Sequence, residues 1–152
     1  MKKFLIVLGV TFLVLVVVIA AFIGYAAITG SALDKQSKAY VDAAVPAIVS
    51  SWNEQELLSR ASPEFQKAAK PADVDRLFRW FRTLGQLQKY EGSQGQATIN
   101  VTPQTGKEVS ARYVAKALFE HGEASIEVGL IKRDDAWQIT GFKLNSAALA
   151  PQ

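Results

Sequence analysis

An uninterrupted apolar run near the N-terminus limits, more than any other feature, how this chain can fold. From Phe4 to Ile28, twenty-five consecutive residues carry no charge, and most are Val, Leu, Ile, Ala or Phe. As a helix, this run would be about 37 Å long, which exceeds the roughly 30 Å hydrocarbon core of a bilayer. A helix also satisfies its backbone amides inside lipid. The sequence therefore predicts one transmembrane helix, with residues 1–30 as the anchor and residues 31–152 as a separate domain.

Two interpretations of this segment stay open, an uncleaved anchor and a secretory signal. A signal has an apolar region of only about 7–15 residues, so the length favours an anchor. The triplet Gly30-Ser31-Ala32 nevertheless suits cleavage, which would release a periplasmic or secreted domain. Lys2 and Lys3 directly precede the apolar run, so the positive-inside rule predicts a cytoplasmic N-terminus and an extracytoplasmic domain.

The charge of the remaining domain argues against a nucleic-acid partner. Removing Lys2 and Lys3 from the seventeen basic residues leaves fifteen, against fourteen acidic residues that all follow residue 30. A domain so close to neutrality lacks the electrostatic footprint of a polyanion-binding protein. The absence of cysteine excludes disulfides, thiolate metal ligands and a cysteine nucleophile.

Helical signals fill the first half of the domain. The break at Gly30-Ser31 predicts that a new helix starts after it, with Asp34 as its cap and Pro46 as a kink or interruption. Asn53 and Ser62 are expected to cap two short helices, and a third begins at Pro71 and ends at Gly85. Apolar residues at helical spacing predict the buried faces of these helices: Val41, Ala44, Val45, Ile48, Trp52, Val74, Leu77, Phe78, Phe81 and Leu84.

The second half of the domain alternates with a period of two, which predicts antiparallel strands. Leu87 to Glu91 reads as a short first strand, and Gly106, Gly122 and Asp134-Asp135 mark turns between alternating runs. The apolar phase slips by one near Thr140-Gly141, which predicts a β-bulge. Helices followed by a strand meander indicate an α+β fold, with helices on a curved antiparallel sheet of four to five strands. Such a sheet, closed by helices, forms a cone-like roll.

The order of three helices and then a meander ending in Trp137-Gln138-Ile139-x-x-Phe142-x-Leu144 resembles the NTF2-like (cystatin-like α+β roll) superfamily. The resemblance covers about residues 35–146 and points to small bacterial domains of unknown function that carry an N-terminal membrane or signal segment. It implies the roll fold. Because that fold hosts enzymes, binding modules and scaffolds, it does not assign an activity.

Two groups of residues are candidate contact sites. Small residues on a strand that face aromatic residues would line a pocket in the cone, and the candidates for it are Trp52, Trp80, Phe81, Tyr113, Ala115 and Trp137. The alternative is ordinary packing of helices on a sheet. An arginine stripe, Arg76, Arg79 and Arg82, would contact anionic headgroups or an acidic partner, or it is simply a solvated helix face.

Catalytic and metal-binding patterns are missing from the sequence. The single histidine, His121, falls at a turn, and no carboxylates have metal-ligand spacing, so no cofactor or metal is expected. The leading hypothesis is a non-enzymatic, membrane-tethered accessory domain of the bacterial cell envelope that acts by contact with an envelope protein or a small ligand. The alternatives are binding of a small apolar or amphiphilic ligand in the cone, and a small lyase or isomerase of the same fold.

Overall fold

The chain divides into two compact units, Met1–Leu33 and Asp34–Gln152. In the computed structural model, the backbone is described for residues 2–104 and 106–149, and side chains for residues 14–21, 30–104 and 106–149. Helix α1 (Lys2–Ser50) contains residues of both units. The predicted break at Gly30-Ser31 is wrong, because both residues lie within α1. One glycine costs a helix only about 1 kcal/mol relative to alanine, which good helix formers on either side can offset.

The first unit consists of the N-terminal part of α1. Its apolar side chains from Val14 to Ile19 are each 47–59 % exposed. Side chains of residues 4–13 and 22–28, which make up most of the predicted span from Phe4 to Ile28, lie outside the described residues. Among the residues that are described, no helix combines the length and the apolar character required to cross a membrane.

The second unit begins with residues 34–50 of α1, followed by three shorter helices at or near their predicted positions. These are α2 (Glu54–Arg60), α3 (Pro63–Ala68) and α4 (Pro71–Phe81), and a 3₁₀ turn over Arg82–Leu84 extends α4 to Gly85. The Asn53 side chain accepts a hydrogen bond from the Gln55 amide, and the Ser62 side chain accepts one from the Phe65 amide. These caps satisfy amide groups that have no partner inside the helix. Pro46 lies within α1 and does not interrupt it.

Four strands form one antiparallel sheet in the order β1-β2-β3-β4 within the described residues. They are β1 (Leu87–Thr102), β2 (Gly106–Phe119), β3 (Gly122–Arg133) and β4 (Ala136–Asn145). The predicted α+β fold of helices and an antiparallel sheet is confirmed. The predicted bulge is present as well: Leu130 pairs with Ile139 and Gly129 pairs with Gly141, so Thr140 is the extra residue. The first strand is far longer than the predicted Leu87 to Glu91.

The core lies between α1 and α4 on one side and the inner face of the sheet on the other. Helix α1 contributes Val41, Val45, Ile48 and Val49, all fully buried. Alternate strand residues form the opposite wall: Ala111, Tyr113, Ala115, Ala117, Phe119, Ile126, Val128, Leu130, Ile139 and Leu144. The prediction that Leu77 belongs to the core is wrong, because its side chain is 47 % exposed on α4. It lies at the margin of a helix face whose centre is already filled by Val74, Phe78 and Phe81.

Both outer strands of the sheet are partly covered at their edges. On β1, the Ala97 amide donates to the Asp34 carboxylate of α1 over 2.7 Å. On β4, the Ser62 amide donates to the Ile139 carbonyl over 2.8 Å. Exposed strand edges invite pairing with other chains, so these bonds restrict edge-to-edge association.

A second carboxylate, Asp42, fixes α1 against β1. Its Oδ1 accepts hydrogen bonds from the Tyr90 hydroxyl (2.8 Å) and the Ser93 hydroxyl (2.7 Å), and its Oδ2 pairs with Lys38 at 2.6 Å. Partial burial alone would raise the pKa of Asp42, but these three hydrogen bonds outweigh it and hold the pKa below the ordinary value of 3.8. Burial, together with the neighbouring carboxylate, raises the pKa of the Tyr90 phenol.

Replacing Asp42 with alanine is expected to lower the free energy of unfolding by about 1–3 kcal/mol at pH 7, because the buried Ser93 hydroxyl and the Tyr90 hydroxyl lose their acceptor. The pKa of Asp42 is lowered in the folded state, so its contribution is complete above about pH 4 and is lost as the pH falls towards the folded value. Urea unfolding at pH 7 and pH 3 measures both effects. The control is Asp75→Ala, which removes only a pair with Arg79 on the surface of α4. Equal acid sensitivity in Asp42→Ala and wild type would contradict this assignment.

Candidate functional site

The residues predicted to line an interior pocket lie mostly inside the packed core. Trp52, Phe81, Tyr113 and Ala115 are all buried in one cluster, and Trp137 packs against it. The Trp52 ring stacks on Phe119 with centroids 5.0 Å apart and contacts Phe81 at 5.9 Å. The arrangement matches the packing alternative at these positions, and the pocket-lining role stays a prediction.

Two polar groups that reach this core, the Tyr113 hydroxyl and the Trp52 indole, are bonded to other protein atoms. The Tyr113 hydroxyl lies 2.9 Å from the Ser37 hydroxyl and donates to the Asp34 carbonyl over 3.1 Å. The Trp52 indole donates to the Gly85 carbonyl over 2.9 Å. In the described part of the chain, the buried polar side chains are three serines, Ser37, Ser62 and Ser93. Glu54 Oε2, Trp137 Nε1 and Gln138 Oε1 are buried as well, and none of these three atoms has a hydrogen-bond partner among the described residues.

The histidine singled out in the sequence lies at the surface, as does the acidic residue Glu127. His121 is exposed in the turn between β2 and β3, where its backbone amide donates to the Leu84 carbonyl. Glu127 on β3 is exposed and pairs loosely with Lys143 at 3.8 Å. Among the residues that the structure describes, no three His, Cys, Asp or Glu side chains are grouped so that they could hold a metal ion.

The predicted arginine stripe lies on and just after α4, and its members are bonded locally. Arg79 pairs with Asp75 at 2.9 Å, Arg76 with Asp73 at 3.9 Å, and Arg82 donates to the Trp52 carbonyl. Arg76 and Arg79 are therefore each paired with an aspartate, whereas Arg82, which is also exposed, is bonded to a backbone carbonyl. Leu77 and Trp80 are each 47 % exposed on the same helix. This surface combines two exposed apolar side chains with three exposed arginines, two of which are paired with aspartates.

The outer face of the sheet, opposite the core, carries a second surface that the sequence did not reveal. Every second residue of β2 is exposed there, in the order Arg112, Val114, Lys116 and Leu118. A groove of 500 Å³, here called the central groove, crosses this face and is lined by residues of all four strands, among them Gln94, Arg112, Val114, Glu127, Gly141 and Lys143.

Two further grooves are present, and only the smaller of them shares lining residues with the central groove. One, of 340 Å³, shares Gln94 and Val114 with it and continues to Lys116. The other, of 680 Å³, shares Glu91 and Lys116 with the smaller groove, but it is also lined by Trp80 and by core residues such as Leu144 and Leu149, so it is not confined to the outer face. We call the central groove and the 340 Å³ groove, which share Gln94 and Val114, the outer trough. It follows β2 from Arg112 to Lys116.

Glycines and the bulge open the floor of the central groove. Arg112 pairs across the sheet with Gly129, and Gly129 pairs with Gly141, so two strands present no side chain beside the guanidinium. A Cβ atom at Gly141 would meet no heavy atom within 4 Å. A Cβ atom at Gly129 would lie 3.0 Å from the Thr140 hydroxyl, so the bulged residue extends over Gly129. Bulges of this kind re-aim side chains and are common beside functional sites.

Two cations of the outer trough have no charged partner. Within the described residues, neither Arg112 nor Lys116 forms an ion pair, whereas Lys143 on the same face pairs with Glu127. Sequence reasoning missed this site because an alternating polar residue on a strand reads as an ordinary solvated position. The one available signal was the regular alternation of cations and aliphatic residues along β2.

No family model, curated protein or solved structure matches this chain.

Proposed function

We propose that this protein is a non-enzymatic accessory domain of the bacterial cell envelope, tethered to the membrane by its N-terminal segment and acting through contact with another protein. The observation that carries the proposal is the run of twenty-five uncharged residues from Phe4 to Ile28, followed by a unit, residues 34–152, with a core of its own. An apolar segment attached to a well-packed domain is the arrangement of a single-pass anchored protein. Tethering would concentrate the domain near partners in the same membrane.

The exposure of the first unit supports the tether. Six consecutive apolar residues from Val14 to Ile19 extend around more than one full turn of α1, and each is about half exposed. A helix that is apolar on all sides is stable when protein or lipid surrounds it, and unfavourable in water. The cleaved-signal alternative accounts for the same apolar run, but the run is longer than a signal requires.

The domain surface supports protein contact. Trp52, Phe81 and Ala115 are packed in the core, so the interior is filled around them. This packing favours contact at the surface over the alternative of a ligand bound in the cone. Leu77 and Trp80 on α4 and the outer trough on the sheet are the exposed features that a partner could bind. For the fold, we keep the cone-like roll of the NTF2-like superfamily as a proposal, supported by the helix-then-meander order and the bulged β4.

Reporter fusions test both the tether and its orientation. Alkaline phosphatase, which is active only outside the cytoplasm, and a green fluorescent protein that folds only inside are each joined after Gln152. We expect high phosphatase activity and low fluorescence in the membrane fraction, because Lys2 and Lys3 retain the N-terminus in the cytoplasm. Intact mass of the purified chain distinguishes an anchor from a cleaved signal. Fluorescence without phosphatase activity would reject the extracytoplasmic assignment.

A further inference from the structure

The outer trough has the charge and spacing of a peptide-binding site. In strand β2, Arg112, Val114 and Lys116 are two residues apart and extend from the same face of the sheet. Because a strand rises about 3.3 Å per residue, the two cations are about 13 Å apart, with an aliphatic side chain midway. An extended peptide has the same repeat, so its side chains at positions i, i+2 and i+4 can meet these three residues in register.

We propose that the outer trough binds an extended acidic segment of a partner protein, with two carboxylate side chains four residues apart and an apolar side chain between them. One carboxylate meets the Arg112 guanidinium and the other meets Lys116, while the apolar side chain packs on Val114, which is 44 % exposed. The inference rests on the proposed function in taking a protein as the partner, and it names the chemistry of that partner.

Charge complementarity favours this occupant. Arg112 and Lys116 are exposed and form no ion pair with any described residue, so an incoming carboxylate does not displace an internal one. Arginine binds carboxylates through two parallel hydrogen bonds, which gives direction as well as attraction. On either side, Glu91 and Glu127 are paired with Lys89 and Lys143. Spaced carboxylates therefore fit between these pairs, whereas a continuous polyanion would be repelled by the flanking acids.

The floor of the central groove gives the peptide room. Gly129 and Gly141 leave the backbone of β3 and β4 without side chains beside Arg112, and Thr140 supplies a hydroxyl there. Amide side chains on β1, Gln94 and Gln96, extend along the opposite margin and can bond to a peptide backbone. A groove can enclose a chain on three sides, and a flat bilayer surface cannot enter it.

Fluorescence anisotropy of the full chain in mild detergent tests the proposal. The probe is a fluorescein-labelled seven-residue peptide with glutamates four positions apart and a leucine midway. Two comparison peptides carry glutamine in place of the glutamates, or glutamates three positions apart, which an extended chain directs to opposite faces. We expect the probe to bind about tenfold more tightly than either comparison peptide, since each charged hydrogen bond contributes more than a neutral one.

Three variants locate the binding. Arg112→Gln with Lys116→Gln should weaken probe binding about tenfold, and the matched double variant Arg76→Gln with Arg79→Gln, which removes equal charge from α4, should leave it unchanged. Gly141→Leu should weaken binding by filling the central groove, where a Cβ atom meets nothing within 4 Å. Far-UV circular dichroism checks that each variant is folded.

Several results would overturn the proposal. The proposal is wrong if the probe does not bind, if the glutamine peptide binds equally well, or if binding is lost in the α4 variant alone. Displacement of the probe by decanoate as effectively as by unlabelled peptide would also overturn it, because the trough would then bind fatty-acid carboxylates. Self-association that depends on Arg112 would assign it to a second copy. Each can occur while the protein remains in the membrane fraction, so failure here is distinguishable from failure of the tether.

Discussion

Replacing Trp52 with alanine is expected to lower the free energy of unfolding by about 3–5 kcal/mol, because the indole fills the centre of the core and leaves a large cavity when it is removed. Trp52 is 5 % exposed, stacks on Phe119, contacts Phe81 and donates a hydrogen bond to the Gly85 carbonyl. Urea unfolding of the full chain in mild detergent, followed by far-UV circular dichroism, measures the change.

The backbone at Trp52 makes this position unusual. It has φ of +47°, and the following Asn53 amide donates to the Ile48 carbonyl over 3.1 Å. This is the arrangement that ends many helices with a residue in the left-handed region, normally glycine. Packing of the tryptophan ring in the core stabilises this otherwise unfavourable backbone conformation. The side chain therefore fixes the point where α1 ends and the chain turns to α2.

Trp80→Ala is the matched control. Trp80 is 47 % exposed, so removing its ring should change the free energy of unfolding by less than about 1 kcal/mol. Should Trp52→Ala fail to fold, Trp52→Phe tests the same packing, since it retains a ring and loses the hydrogen bond to Gly85, and we expect a loss of about 1–2 kcal/mol. Equal stabilities for Trp52→Ala and Trp80→Ala would contradict the proposed core.

Local signals predicted the short helices well. Asn53 and Ser62 carry cap side chains at the positions where α2 and α3 begin, and Pro71 begins α4. The bulge at Thr140 was also predictable, because an apolar phase that slips by one residue forces an extra residue into the strand. These features depend on neighbours in the sequence, so the sequence is sufficient to find them.

Features that depend on distant residues were not predictable. The middle of β1, from Glu91 to Gln96, is polar and rich in glycine and shows no alternation, yet pairing with β2 holds it in one sixteen-residue strand. Leu77 matched the apolar spacing of α4, and only the packed structure shows that Val74, Phe78 and Phe81 already fill the space.

The outer trough illustrates the same limit for function. Arg112 and Lys116 are obvious as charges, but their lack of ion-pair partners among the described residues follows from which residues lie across the strand: Gly129 beside Arg112 and Ser125 beside Lys116. The sequence shows which charged residues share one face of a strand, but it does not show which residues lie beside them on the neighbouring strands. The fold must be known before an unpaired cation can be distinguished from a paired one.

Removing the apolar character of the N-terminal segment should have the largest effect of all, because the proposed membrane tether depends on it. Val16→Arg with Ile19→Arg introduces two charges into the run from Phe4 to Ile28. Each arginine near the middle of a membrane helix costs about 2.5–3.5 kcal/mol for insertion, so the pair should abolish stable integration. The matched control, Arg76→Gln with Arg79→Gln, changes charge on the domain and should not alter integration.

Carbonate extraction of cell membranes, followed by immunoblotting against residues 34–152, tests the tether most directly. We expect the wild-type chain and the α4 control in the carbonate-resistant membrane pellet with their N-termini intact, and the double-arginine variant in the supernatant. A wild-type chain that is released into the soluble fraction while it retains its first thirty residues would contradict the tether and the function proposed from it.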